Sequence, residues 1–342
     1  MVLCRIYLVL GGISMKRSLS GIQPSGILHL GNYFGAISQF VKNQNSGEFE
    51  GFYFIADYHS LTSLTDPKSL KENTYNIVLD YLALGLNPEK STIFLQSDIP
   101  EHVELSWLLS NVTPVGLLER GHSYKDKIAK GFTPNAGLMT YPVLMAADIL
   151  IYDTDVVPVG KDQKQHLEMT RDIAMKFNQQ YGVDLFKLPD PLIMDDLAVI
   201  PGTDGQKMSK SYGNTINMFA SKKELKKQVM SIVTDSTPLE EPKDPNNNIA
   251  KLYALFASIE KQNELKEKFL AGNFGYGHAK TELLNAILEY FGEARERREH
   301  LVENSDYVQE VLYEGAKKAR AIAREKIMRA KEAVGLIGNA YK

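Results

Sequence analysis

Two short runs constrain this chain more than anything else in it. They are Gly51-Phe52-Tyr53-Phe54-Ile55-Ala56 and Ser91-Thr92-Ile93-Phe94-Leu95-Gln96. Neither alternates polar with apolar residues, so each reads as a strand covered on both faces, the signature of a parallel sheet. Between them, Asp66-Pro67 starts a helix that runs through Leu70, Tyr75, Leu79 and Leu82 to Gly85. The same beat recurs on both sides. Residues 16–23 read as a strand ending in a Gly/Pro/Ser turn. Residues 31–44 read as a helix, with Tyr33, Ile37, Phe40 and Val41 at steps of three and four. Asp155 to Val159 reads as a later strand, followed by Gly160 and a helix from Gln163 to Tyr181. Strand and helix alternating at this pace predict βαβ units and a doubly wound α/β sheet.

After Ser211 the strands stop. Helices are predicted at about 221–233, 247–261, 263–271, 276–300 and 305–334, with a loop marked by Pro242, Pro245 and Asn246 to Asn248. The expected organisation is an extension at 1–14, a doubly wound domain at 15–205 and an all-helical unit at 206–342. The sequence leaves open whether the last helix packs back on the first domain.

Composition removes several function classes. The 342 residues suffice for two domains, and a net charge of −3 means that any contact with a polyanion must come from a local patch. The lone cysteine, Cys4, excludes a disulfide framework or a Cys-rich metal site, and the expected setting is cytosolic. The apolar run Ile6 to Ile13 follows a single Arg5, lacks a clear cleavage site and is too short to span a bilayer. No membrane association is expected, and residues 1–14 read as irrelevant to function.

Two segments carry chemistry. Pro24-Ser25-Gly26-Ile27-Leu28-His29-Leu30-Gly31-Asn32 sits where a strand gives way to a helix. Glycine there lets backbone approach a phosphate, the helix start favours an anion, and His29 can donate a hydrogen bond without being charged. The bland alternative is a surface histidine beside a glycine turn. Lys207-Met208-Ser209-Lys210-Ser211 lies on a glycine-flanked loop, between Pro201-Gly202-Thr203-Asp204-Gly205-Gln206 and Tyr212-Gly213-Asn214. Its two lysines and hydroxyls can clamp a pyrophosphate leaving group, where developing charge gains most from fixed cations. Its bland alternative is a solvated basic loop.

In this order and this far apart, the two segments resemble the HIGH and KMSKS signatures of class I aminoacyl-tRNA synthetases. Three further stretches resemble the tryptophanyl branch: Ser20 to Gly26; Thr140-Tyr141-Pro142-Val143-Leu144-Met145-Ala146-Ala147-Asp148-Ile149-Leu150; and Pro158 to His166. The resemblance implies a Rossmann-like catalytic domain, a helical domain that binds the tRNA anticodon, and a homodimer. It implies L-tryptophan, ATP with Mg2+ and tRNA(Trp) as substrates, with no metal held by the protein.

Residue by residue, the resemblance assigns Gln23, Pro24, Ser25, Gly31, Asn32, Gly160, Lys161 and Asp162 to ATP, with Asp162 near the ribose. Ile200 would lie on adenine through its backbone, and Lys125 and Lys127 near the phosphates. His29, Lys207 and Lys210 would serve catalysis, with Met208, Ser209 and Ser211 completing the phosphate loop. Tyr141 and Gln163 would hold the amino group of tryptophan and Asp148 its indole N–H.

Elementary chemistry agrees with the last of these. Tyr141, Met145 and Asp148 share a helix face; indole offers one N–H donor; Met145 suits an aromatic ring; Val157 and Val159 can wall a pocket. A ring without an N–H is expected to leave Asp148 unpaired, which would discriminate strongly. The alternative is a core helix with Asp148 as a buried cap or ion-pair partner. His59, in Asp57-Tyr58-His59, reads equally as structural or as part of the site.

There are two departures from the family pattern. The first signature ends in Asn32 instead of histidine, as is usual in the tryptophanyl branch. Leu19 stands where many relatives carry an aromatic residue. Basic residues on the last helix (Lys317, Lys318, Arg320, Arg324, Lys326, Arg329 and Lys331) read as either a phosphate-contact surface or a solvated face. Three rival readings remain: a tyrosyl enzyme, another nucleotidyltransferase that adenylylates a small acid, and a non-catalytic RNA-binding or regulatory paralogue.

Overall fold

A computed structural model describes residues 15–121, 124, 135–160, 164–193 and 199–337. The extension 1–14 lies outside them.

Five parallel strands form one sheet in the order β3-β2-β1-β4-β5. They are β1 (Lys16–Ile22), β2 (Phe49–Ile55), β3 (Ser91–Leu95), β4 (Val156–Val159) and β5 (Asp190–Ile193). Because the order reverses after β1, the carboxyl ends of β1 and β4 flank the crevice where doubly wound folds bind ligands. The fifth strand went unread in the sequence: Asp190-Pro191-Leu192-Ile193 is only four residues and contains a proline.

Between β1 and β2 the chain winds as α1 (Leu30–Asn32), a π-helical turn (Tyr33–Ile37) and α2 (Ser38–Ser46). The second crossover, from β2 to β3, adds α3 (Asp57–Ser60) and α4 (Pro67–Ala83), the latter capped by the Asp66 carboxylate on the Ser69 N–H. Then come α5 (Glu101–Ser110), α6 (Val115–Glu119), α7 (Ala136–Leu150) and α8 (Lys164–Tyr181).

The remainder is helical: α9 (Lys222–Met230), α10 (Asn248–Tyr253), α11 (Ile259–Ala271), α12 (Tyr276–Tyr290), α13 (Gly292–Glu303) and α14 (Ser305–Ala333). Two boundaries differ from expectation. The segment predicted as 276–300 breaks at Phe291, which is buried at φ −97°, ψ 9° between α12 and α13. The segment predicted as 247–261 stops at Tyr253, and Ser258 starts a new helix by accepting from the Lys261 N–H. Periodicity persists across both breaks, so pattern alone could not place them.

Each face of the sheet carries its own core, because successive strand residues point opposite ways. Tyr53, Ile55 and Ile93 face one side, with α2, α4 and most of the C-terminal helices. Phe52, Phe54 and Phe94 face the other, with α5, α7, α8 and one stripe of α14: Ala319, Ala323, Ile327 and Ala330.

Helix α14 therefore does pack back, and it passes so close to β3 that a Cβ on Gly315 would fall 1.8 Å from the Ile93 carbonyl oxygen. Part of its basic face meets that domain: Lys318 pairs with Glu50, Arg320 with Glu101, Lys326 with Asp153 and Lys331 with Glu104. These four cations fasten the helix to the first domain, while Lys317 pairs with Glu314 on the helix itself.

Candidate active site

The two signatures meet. The Leu30 N–H donates to the Ile216 carbonyl at 3.0 Å, and the Met208 N–H donates to the Ile200 carbonyl at 2.8 Å. Met208 is buried and packs over Gly31, where a Cβ would lie 2.9 Å from His29 Nδ1, so glycine is what leaves room for the His29 ring beneath the loop. The Lys210 ammonium donates to the Gly26 carbonyl at 2.8 Å. Gly26 holds φ +136°, a conformation that L side chains rarely adopt.

Loop residues are braced by Asn214. Its carbonyl oxygen accepts from the Ser209 N–H, and its amide donates to Asp204 and to the Lys207 carbonyl. Lys207 and Ser211 project outward, exposed. The loop is thus anchored at Met208 and Asn214 while its cations face the phosphate cradle or solvent.

His29 is buried, and its Nδ1 has no partner. Burial, then the Lys210 charge, lowers its pKa to about 4. It is neutral at physiological pH and can donate one N–H, as expected of a phosphate contact. Burial also lowers Lys210 to about 8, against the opposing pull of Asp80. Asp80 is itself buried, paired with Arg298 of α13 at 2.6 Å, and pushed up to about 6 by desolvation. An orphaned imidazole nitrogen, a glycine cradle and a half-buried lysine together fit the phosphates of a nucleotide.

Beside the cradle, at the ends of β1 and β4, is a cavity of about 470 Å³. Leu19, Gly21, Phe54, Met145, Ile149 and Val157 give it apolar walls, and Gln23, His59, Tyr141, Asp148 and His166 supply polar groups. Its size and lining suit an aromatic amino acid. Gly21 is required here, since a Cβ would lie 2.6 Å from the Phe54 ring that forms one wall.

Tyr141, Met145 and Asp148 do share one face of α7, as their spacing predicted, and Leu19 contributes to the wall. The Tyr141 hydroxyl lies 2.6 Å from His166 Nε2. Lys125, Lys127, Lys161, Asp162 and Gln163 lie outside the described residues, as does the side chain of Val159.

Asp148 departs from expectation. It is 1% exposed, and both carboxylate oxygens are occupied. Oδ1 accepts from His102 Nδ1 at 2.5 Å and Gln96 Nε2 at 2.8 Å; Oδ2 accepts from His59 Nε2 at 2.8 Å and again from Gln96 at 3.0 Å. An empty pocket therefore does not leave Asp148 unpaired, and the expected discrimination by an orphaned carboxylate is corrected. The donors instead hold the carboxyl well below the usual carboxylate range, overcoming desolvation. Sequence reasoning missed Gln96, His102 and Tyr152 entirely. Only the proximity of Gln96 to the end of a buried strand could have hinted at them.

A doubly wound sheet with a glycine turn, a half-buried lysine and a ring-sized cavity at its switch point suits an enzyme that takes a nucleotide and an aromatic small molecule. Comparison with known proteins narrows the class. The family described as tRNA synthetases class I (W and Y) matches residues 15–292. A tryptophan–tRNA ligase of Fusobacterium nucleatum is 80% identical over 327 residues, covering 96% of this chain and all of that one. A Campylobacter jejuni tryptophanyl-tRNA synthetase solved with ADP and tryptophan has TM-score 0.88 at 53% identity, covering 94% of this chain and 100% of that one. The Mycoplasma pneumoniae enzyme has TM-score 0.78 at 32% identity, covering 96% and 100%. The chain belongs to the class I aminoacyl-tRNA synthetases, in the family of the tryptophan and tyrosine enzymes, and is an aminoacyl-tRNA ligase.

Proposed function

We propose that this chain activates L-tryptophan with ATP, releasing pyrophosphate, and then transfers the aminoacyl group to the 3′ end of tRNA(Trp). The observation that carries the reading is the convergence of His29, Gly31 and Lys210 beside a ring-sized cavity that ends on the Asp148 carboxylate. The near-full-length similarity to tryptophan–tRNA ligases favours tryptophan over tyrosine.

A tryptophan carboxylate is already a nucleophile at neutral pH, so no general base is required. It attacks the α-phosphorus in line, and the enzyme supplies position and charge stabilisation. Neutral His29 donates to a phosphate oxygen. Lys210, with Lys207 and Ser209, neutralises charge on the departing pyrophosphate. Lys210 must exchange its bond to the Gly26 carbonyl for phosphate oxygens, a short swing from its present place. Mg2+ enters as part of the nucleotide substrate. Asp148 accepts the indole N–H, and Tyr141 and Gln163 hold the amino group.

Residues 206–342 serve as the unit that meets the anticodon, the active form is a homodimer, and the enzyme works in the cytoplasm. No described helix is long and apolar enough to cross a membrane.

The test is exchange of pyrophosphate into ATP with tryptophan, with tyrosine and no amino acid as controls. Exchange with tryptophan alone supports adenylation and substrate together. No exchange with either amino acid in a folded sample would overturn the assignment.

A further inference from the structure

We infer that His102 is a positioning residue for tryptophan selection: from behind Asp148, outside the cavity, it holds that carboxylate in place as the acceptor for the indole N–H. The inference rests on the tryptophan reading of the cavity.

His102 is fully buried and does not line the cavity, whereas Asp148 and His59 do. Its two ring nitrogens are both engaged, Nδ1 with Asp148 at 2.5 Å and Nε2 with the Tyr152 hydroxyl at 2.6 Å. An ionised Asp148 can only accept, so Nδ1 carries the proton. A neutral ring then has a lone pair at Nε2, which receives the Tyr152 proton. Tyr152 is buried, and burial and the neighbouring charges of Asp148 and Glu101 raise its pKa, so its hydroxyl stays a donor. The relay Tyr152 to His102 to Asp148 thus has one hydrogen-bond direction and one tautomer.

The alternatives for Asp148 are limited by the groups around it. His59 faces it from α3, Gln96 from the turn after β3, and His102 and Glu101 come from α5. Arg320 of α14 is paired with Glu101, and Tyr141 of α7 is paired with His166 of α8. No arginine or lysine contacts the Asp148 carboxylate among these; His59, His102 and Gln96 are the donors that keep it ionised. Removing the shortest of those donors should leave the carboxylate less firmly oriented, and an acceptor that must be ordered on binding holds the indole N–H more weakly.

The experiment compares wild type, His102→Leu, His102→Asn and Tyr152→Phe as full chains. Pyrophosphate exchange is measured with tryptophan and with phenylalanine, and near-UV circular dichroism checks folding. Loss of a hydrogen bond to a charged group should raise the tryptophan KM of His102→Leu about tenfold, with kcat little changed. Its preference for tryptophan over phenylalanine should fall by a similar factor. His102→Asn places an amide donor near the position of Nδ1 and should restore most of the preference.

A folded His102→Leu with wild-type preference would overturn the inference. So would equal losses in the Leu and Asn variants, or a loss in kcat and KM together, the mark of a merely structural role. If His102→Leu does not fold, Tyr152→Phe decides. It keeps the ring and removes only the group that anchors Nε2, so a raised tryptophan KM with kcat little changed supports the relay and an unchanged one refutes it. Wild type without tryptophan-dependent exchange would instead sink the underlying function.

Discussion

The two ends of the active site are built on opposite principles. At the ring end, Asp148 is held by His59, Gln96 and His102, all buried and drawn from three separate elements. At the phosphate end, the lysine loop touches the rest of the molecule at a few points: Met208 in the core, Asn214 beneath the turn, and Lys210 on one carbonyl. Recognition of a small, uncharged donor such as indole N–H needs an acceptor fixed before the ligand arrives. Charge neutralisation of a departing pyrophosphate needs cations that can follow it. A rigid anion and a loosely tethered cation meet these two needs, and the contrast implies that substitutions at the ring end should damage selectivity and stability together. Those at the loop should damage rate with little effect on either.

The largest expected effect tests the loop. Lys210→Ala should slow single-turnover adenylate formation by about 10²- to 10³-fold, the usual scale for losing one preorganised charge-stabilising donor. Tryptophan binding, measured separately by fluorescence or calorimetry, should change little. Unaltered adenylation would erase the distinction between the two ends.

Asp148→Ala is the corresponding break at the ring end. It leaves three buried donors without an acceptor, so a loss of about 3 kcal/mol in denaturant-derived stability is expected, alongside lost preference for tryptophan over phenylalanine. Retained preference would show that the indole assignment is wrong.

Helix packing offers a control far from both ends. Gly315→Ala must push α14 off β3, because a Cβ there has no room beside the Ile93 carbonyl. A loss of about 2 kcal/mol is expected, with near-normal exchange per folded molecule. A Tm equal to wild type would mean that the helix adjusts freely.

The smallest effect sharpens the electrostatic side. Lys210 has its pKa lowered to about 8, so kcat/KM for ATP should decline as pH rises through that value and the ammonium loses its proton. Lys210→Arg keeps its charge and should move the alkaline limb upward. The same limb in both enzymes would assign the titration to another group.

Much of this fold and site is legible in the sequence. The runs through Tyr53 and Phe94 declared a parallel sheet because a strand covered on both faces needs no polar alternation. Tyr141, Met145 and Asp148 declared a shared face because helical spacing fixes it. The strand Asp190–Ile193 stayed hidden because four residues with a proline carry too little pattern. The break at Phe291 stayed hidden because apolar periodicity continues through it.

Sequence by itself determined the alternation of the first four strands with helices, the two signature segments and the helical face that carries Asp148. All of these depend on spacing along the chain, which short-range geometry converts directly into local structure. Tertiary structure alone decided which groups meet across it. His102 lies 46 positions from Asp148, and Arg320 lies 219 from Glu101, distances at which spacing carries no information. Whether a buried carboxylate waits unpaired or arrives already satisfied, and whether a basic helix faces solvent or fastens to its neighbour, depends on packing between elements. Desolvation makes those pairings matter, since a charge removed from water must find its partners within the fold.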